Sequence, residues 1–117
     1  MGYTDLTIQG SDMAAGCAEN VGNIMAKALS EEFKVKENEF NTDGPINVAM
    51  FFEEVICPNE AFIYNDKLRA LAQRVVKYLD KHIVLVQKSK DEEWDGKQYH
   101  LRRYRGMKKT IVLWLSE

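Results

Sequence analysis

The sequence has few of the residues that build metal sites or disulfide frameworks. Its 117 residues include two cysteines, Cys17 and Cys57, which lie far apart, and two histidines, His82 and His100. These four residues show none of the close spacings found in zinc sites. We therefore expect two reduced, mostly buried thiols, because free cysteine behaves as a small hydrophobe, and we expect no metal ion or other cofactor.

Long apolar runs are also missing. Runs such as Ile83 to Val86 and Ile111 to Leu115 are far shorter than the roughly 20 residues that span a bilayer. The N-terminal residues have neither the basic nor the apolar stretch of a secretion signal. A hydrophobic content of 45% is enough for one core in a chain of this length. We expect a single cytoplasmic domain over residues 1–117, with no membrane partner.

Catalytic motifs are absent as well. Glu53 and Glu54 are the most suggestive carboxylate pair, but adjacent residues on a helix project about 100° apart and do not converge. His82 and His100 belong to no recognisable triad, and His82 near the end of the third predicted helix is interpreted as structural. We therefore expect a protein that is not an enzyme.

Charge is abundant, and it is sorted along the chain. Residues 1–66 carry 3 Lys/Arg and 12 Asp/Glu, a net charge of −9, whereas residues 67–117 carry 13 and 6, a net charge of +7. Such asymmetry is typical of a binding surface and says little about the fold. The formal net charge of −2 conceals this polarity.

Two candidate binding faces follow from this polarity. The basic face comprises Arg102, Arg103, Tyr104, Arg105, Lys108 and Lys109. The acidic face comprises Glu31, Glu32, Glu37, Glu39, Glu53 and Glu54. We expect both to dock a protein partner, either another protein or a second copy of this chain in a homodimer. The alternatives are ion pairing within one subunit and nucleic-acid binding by the basic face with nearby aromatic rings, although a pI near 5.7 is low for a nucleic-acid module.

Apolar spacing predicts helices over most of the chain. The first begins at Gly10-Ser11-Asp12 and ends near Lys36, and residues 1–10 form a short arm or strand before it. The second has Asp43 or Gly44 as its N-cap and Pro45 at its first helical position, and it stops before Pro58. The third opens at Asn65-Asp66 and is followed by a charged turn over residues 88–96.

The helices show the apolar stripes expected of a bundle. The first stripe comprises Met13, Cys17, Val21, Ile24, Met25, Ala28 and Leu29; the second, Val48, Phe51, Phe52, Val55 and Ile56; the third, Leu68, Leu71, Ala72, Val75, Leu79 and then Ile83 or Val86. Gly16 and Gly22 interrupt the first helix, which suggests close approach of a neighbouring element.

The last segment, residues 97–117, fits two structures. Read as a helix, it aligns Leu101, Tyr104, Lys108, Ile111 and Leu115. Read as a strand, Ile111 to Leu115 pairs with Ile83 to Val86. The helix is favoured, with Trp114, Ile111 and Leu115 closing the core. We predict a mainly α fold, a compact bundle of three or four helices, and leave open a short β element at the ends of the chain.

The N-terminal residues resemble a family of small bacterial domains of unknown function. The resemblance lies in Gly2-Tyr3 and in Ser11-Asp12-Met13-Ala14-Ala15 at the first helix, followed by helices placed like those at Asn47 and Leu68. Gly16 departs from the Asp common in that family, and the basic C-terminal third has no counterpart in it. The resemblance implies a mostly helical body and no catalytic residue. By analogy, small charge-segregated proteins of bacteria and phages include inhibitors, immunity proteins and counter-defence factors.

Overall fold

The computed structural model describes residues 12–34, 43–89 and 96–117. Four α-helices account for most of them: α1 (Asp12–Phe33), α2 (Asp43–Phe51), α3 (Asp66–Lys88) and α4 (Lys97–Leu115). A π-helical turn, Phe52–Ile56, continues α2, and a 3₁₀ turn, Glu60–Phe62, precedes α3. No strand occurs within these ranges, which confirms a mainly α fold. The predicted N-terminal arm lies outside the described residues.

Helix α3 forms as its sequence predicts. The side-chain oxygen of Asn65 accepts a hydrogen bond from the Leu68 backbone N–H at 2.9 Å, which caps the helix at the predicted start. The predicted apolar stripe is buried, and both of its alternative last residues, Ile83 and Val86, belong to it. This helix lies at the centre of the fold, because α1 packs on one side of it and α4 on the other.

Helices α3 and α4 run antiparallel as a long hairpin. The Lys97 ammonium donates to the Ser89 carbonyl at one end, and the Arg69 guanidinium donates to the Leu115 carbonyl at the other. The strand alternative for Ile111 to Leu115 is therefore wrong. Residues at three- and four-position spacing, Leu101, Tyr104, Met107, Ile111 and Trp114, are buried along one side of α4. A strand would have turned alternate residues away from this core.

Helix α1 runs parallel to α3 and contacts it through small residues. The Asn65 amide donates to the Glu19 carbonyl at 3.3 Å and to the Asn23 side chain at 3.1 Å. A Cβ atom on Gly22 would lie 2.6 Å from that amide nitrogen, so glycine permits the contact. Gly22 thus has the close neighbour that its position suggested. Gly16 does not, because nothing lies within 4 Å of its Cβ position.

The predicted stripe of α1 is partly wrong. The buried side consists of Ala18, Gly22, Ala26 and Phe33, whereas Cys17, Val21, Ile24 and Ala28 are exposed. Apolar residues surround most of this helix, so hydrophobicity alone does not select which side faces α3. The small residues face inward because α3 and the Asn65 side chain come close there.

The region from α2 to the π-helical turn explains a second deviation. The helix begins at Asp43, so Pro45 is its third residue and still lies in the first turn. The Cys57 backbone N–H donates to the Phe52 carbonyl at 2.8 Å, five residues back. The wider turn changes the angular spacing, and Val55 of the predicted stripe is 44% exposed, whereas Phe52 and Ile56 are fully buried.

Candidate interaction surface

Helix α4 presents the basic tract in two different environments. Arg102, Arg105 and Lys109 are exposed, together with Val112 and Leu113. On a helix of 3.6 residues per turn these five positions fall within an arc of about 100°. We call this set the α4 outer face. It combines three cations with two large apolar side chains that the chain leaves uncovered.

Two further cations of the tract are paired within the subunit. The Arg103 guanidinium donates to the Glu53 carboxylate at 2.8 Å, and this hydrogen bond raises the pKa of Arg103. The Lys108 ammonium lies 2.5 Å from the Asp80 carboxylate. The Glu53 contact joins the acidic and basic parts of the sequence, as the intramolecular alternative expects. This contact neutralises one cation of the tract. Neither Glu53 nor Asp80 pairs with a cation of the α4 outer face.

Tyr104 is not part of the accessible surface. It is 8% exposed and belongs to a series of rings that links α1, α3 and α4. Successive centroids along the series Phe33, Tyr78, His82, Tyr104, His100 and Tyr99 lie 4.9 to 6.0 Å apart. A partner cannot stack on Tyr104 without displacing this packing, so the structure removes it from the candidate contact residues.

The two histidines both lie in this ring series. His82 stacks on Tyr78 with an interplanar angle of 15° and meets Tyr104 edge-on. Burial lowers the pKa of His82 below its ordinary value, opposite to the effect of a helix C-terminus on a cation. His100 Nδ1 lies 2.7 Å from the Gly96 carbonyl. Both side chains are therefore packed against other rings of the fold.

A groove between α3 and α4 adjoins the α4 outer face. Its cavity volume is about 650 Å³. It is lined by Asp80, Ile83, Val84, Arg105, Lys108, Lys109 and Val112. We call it the α3–α4 groove. The lining combines apolar side chains with three cations and with the Asp80 carboxylate, which is paired with Lys108. The groove can therefore receive an apolar side chain accompanied by carboxylates.

The acidic candidates do not form one continuous face. Glu31 and Glu32 are exposed in the last turn of α1, next to the start of α2, while Glu54 is exposed beyond the other end of α2. Glu53 is directed at Arg103, so the two adjacent glutamates do not converge. Glu37 and Glu39 lie outside the described residues. The acidic charge is therefore divided between the two ends of α2.

Helix α3 carries a basic row that sequence reasoning did not propose as a site. Its exposed members are Lys67, Arg74, Lys77, Lys81 and Lys88. Four of them recur every seven residues, so they lie on one side of the helix about 10.5 Å apart. This seven-residue spacing is the sequence pattern from which the basic row could have been predicted. It is less visible than the tract on α4 because no two of these cations are adjacent.

The cysteines differ from the expectation in one respect. Both are free, but Cys17 is exposed, whereas Cys57 is half-buried. Burial, with a smaller effect of the Glu53 charge, raises the pKa of Cys57 to about 11. Cys17 is exposed because it lies on the side of α1 opposite Ala18 and Gly22, and so the expectation of two mostly buried thiols is wrong for it.

The described residues show neither a metal-binding cluster nor a helix that could span a membrane. No group of three or more His, Cys, Asp or Glu side chains converges there as a metal site would require. None of the described helices has the length and apolarity needed to cross a membrane. Comparisons of the chain with protein-family models, with curated proteins and with solved structures find no match.

Proposed function

We propose that this protein is a non-catalytic interaction module that binds a protein partner through the α4 outer face and the α3–α4 groove. The observation that carries the proposal is the presence of exposed apolar side chains among cations that form no ion pair with the described part of the chain. Val112 and Leu113 are 43% and 57% exposed, and Val84 across the groove is 44% exposed. Protein interfaces combine an apolar centre with a polar rim in this way.

The chemistry of the surface defines the partner. Arg102, Arg105 and Lys109 favour carboxylates, which steer association and fix orientation. The groove favours a large apolar side chain, because removing such a residue from water is the main source of affinity. The expected partner segment is acidic and carries one or two apolar anchors. A second copy of this chain would bind by the same chemistry if it placed an acidic, apolar segment in the groove.

Nucleic-acid binding is the competing function, and the α3 basic row is the observation that favours it. Cations at regular spacing can neutralise phosphates. Single-stranded nucleic acids also use accessible rings on which bases stack. Tyr104 is buried, whereas Tyr99 at the start of α4 is 59% exposed, and the α4 outer face itself exposes the aliphatic side chains Val112 and Leu113. The protein-binding proposal accounts for these apolar residues, whereas phosphate binding does not.

A selection from a displayed library of random peptides tests the proposal. We expect peptides retained by the wild-type protein to be enriched in Asp and Glu next to Leu, Ile or Phe. Their binding should be lost in Val112→Ser and in Arg105→Gln. Lys77→Gln is the matched control, because it removes an exposed cation of α3 that does not line the groove.

A parallel measurement with labelled oligonucleotides gives the result that would contradict the proposal. Affinity for single-stranded RNA or duplex DNA better than about 10 μM at about 150 mM salt, lost with Arg102→Gln or Lys109→Gln, would favour nucleic-acid binding. Light scattering of the same samples tests the homodimer, which should dissociate in Val112→Ser if the second copy occupies the groove.

A further inference from the structure

A second groove lies on the opposite side of α3, between α1 and α3. Its cavity volume is about 390 Å³, within the usual range for small-ligand sites. Helix α1 contributes Asn23, Ala26, Lys27 and Ser30, and α3 contributes Lys67, Ala70, Leu71 and Arg74. We call it the α1–α3 groove. It shares no lining residue with the α3–α4 groove, so it is a separate site.

The charge of this groove has one sign. Lys27, Lys67 and Arg74 bring three cations from two helices, and no carboxylate is among the lining residues. Within the described parts of the chain, the two ion pairs of basic side chains are those of Arg103 and Lys108. The three cations of the groove therefore line an open volume in which no carboxylate of the described residues compensates their charge.

The guanidinium of Arg74 has a fixed position at one end of the groove. It lies over the Phe33 ring, 5.0 Å from the centroid. Phe33 is in turn held edge-on against Tyr78, with centroids 5.9 Å apart. A planar guanidinium held in this way can offer two parallel N–H donors to one phosphate or carboxylate.

Polar and apolar walls complete the groove. Asn65 donates to the Asn23 oxygen at 3.1 Å, which leaves the Asn23 amide N–H₂ as a donor. Ser30 adds a hydroxyl to the lining. The apolar floor of the groove consists of Ala70, which is exposed, and of Ala26 and Leu71, which are 4% and 2% exposed. The groove thus combines hydrogen-bond donors with an apolar floor whose accessible residue is Ala70.

We infer that the α1–α3 groove binds a small organic phosphate monoester. The phosphate would contact Lys27, Lys67 and Arg74, and the organic part would lie against Ala70 and the aliphatic stems of the two lysines. A phosphate monoester is close to a dianion at neutral pH, so it matches three cations better than a single carboxylate does. The apolar floor distinguishes this ligand from inorganic phosphate, which has no apolar surface to bury.

Titration of the full chain with phenyl phosphate tests this inference, with amide chemical shifts as the readout at about pH 7.5, where the monoester is dianionic. We expect shifts in the segments around Ala26 and Leu71. Inorganic phosphate should bind at least about threefold more weakly because it lacks the ring. Benzoate, with one charge, should bind at least about tenfold more weakly. Ionic strength is held constant across the series.

Variants locate the site. Lys67→Gln and Arg74→Gln should each weaken phenyl phosphate binding about fivefold or more. Arg74→Lys keeps the charge but loses the fork, so it should bind with intermediate affinity. Lys81→Gln is the matched control, since it removes an exposed cation from the same helix outside the groove. Its affinity should equal that of the wild type, and circular dichroism verifies that every variant is folded.

Three results would overturn the inference. If Lys81→Gln and Lys67→Gln weaken phenyl phosphate binding equally, the ligand is attracted by the overall positive charge of the α3 basic row and not by a defined site. Equal affinity for phenyl phosphate, phosphate and benzoate would show that neither charge nor floor is recognised. Binding of an oligonucleotide that displaces phenyl phosphate and depends equally on Lys77 and Lys81 would assign the groove to a polyanion surface. The first two results leave the α3–α4 groove untouched, so they overturn this inference alone; the third would also favour the competing nucleic-acid function.

Discussion

Replacing Gly22 with alanine should destabilise the protein, although alanine favours a helix. Alanine in a helix interior is worth about 0.5–1 kcal/mol more than glycine. At Gly22 the added Cβ would lie 2.6 Å from Nδ2 and 3.1 Å from Cγ of Asn65. Asn65 is 7% exposed, so its side chain has little room to move.

The size of the effect follows from the three hydrogen bonds that the Asn65 side chain makes. Its amide donates to α1 twice, and its oxygen caps α3. Displacing the side chain removes the two contacts with α1 and leaves a buried donor unsatisfied, at a cost of about 1–3 kcal/mol, with overpacking adding a similar amount. After the propensity gain is subtracted, we expect Gly22→Ala to lower the free energy of unfolding by about 1–5 kcal/mol.

Gly16→Ala is the matched control in the same helix. Nothing lies within 4 Å of its Cβ position, so this variant should gain about 0.5–1 kcal/mol. Urea unfolding followed by far-ultraviolet circular dichroism measures both values. The reasoning is refuted if the two variants are equally stable. In an Asn65→Ala background the cost of Gly22→Ala should largely disappear, and its persistence would place the clash elsewhere.

Three further predictions concern individual side chains. The free energy of unfolding should fall as the pH drops below about 6.5. Burial lowers the pKa of His82 in the folded protein, so the unfolded chain binds the proton more readily. His82→Phe should flatten that part of the pH profile. At about pH 8, a thiol reagent should modify Cys17 about 100-fold faster than Cys57, whose pKa is near 11. Arg69→Gln should cost about 1–3 kcal/mol, because Arg69 donates to the Ile63 and Leu115 carbonyls.

Each of these predictions has a control or a contrary outcome. A pH profile that keeps its slope in His82→Phe would assign the dependence to other groups. Equal labelling of both thiols in the native protein would show that Cys57 is accessible, and denaturation should make the rates equal. Arg102→Gln removes an exposed cation and should change stability by less than about 0.5 kcal/mol; a similar loss in both arginine variants would argue against a structural role for Arg69.

The sequence was most informative where one face of a helix was unambiguous. Helix α3 was predictable because Asn65 is a strong cap and its polar and apolar residues alternate with the helical period. The inward face of α1 was not, because Val21 and Ile24 are larger and more apolar than the Ala18 and Gly22 that face α3. That choice depends on the approach of Asn65, a contact over 42 residues of sequence.

The sequence predicted which residues make up the basic tract, but it did not predict which of their side chains are accessible. The tract on α4 was visible as adjacent cations, but which of them stay free depends on tertiary contacts. Arg103 is paired because the π-helical turn places Glu53 next to α4, and Tyr104 is buried by ring packing with His82. The two grooves require the mutual placement of helices, which local spacing does not encode.

The contact between Glu53 and Arg103 spans 50 residues of sequence and joins the two oppositely charged parts of the chain. Because those parts attract each other before any helix has formed, the unfolded ensemble should already be biased towards compact conformations. This attraction partly offsets the entropy lost on closing so long a loop. Added salt screens it, so refolding should slow with ionic strength more than unfolding accelerates.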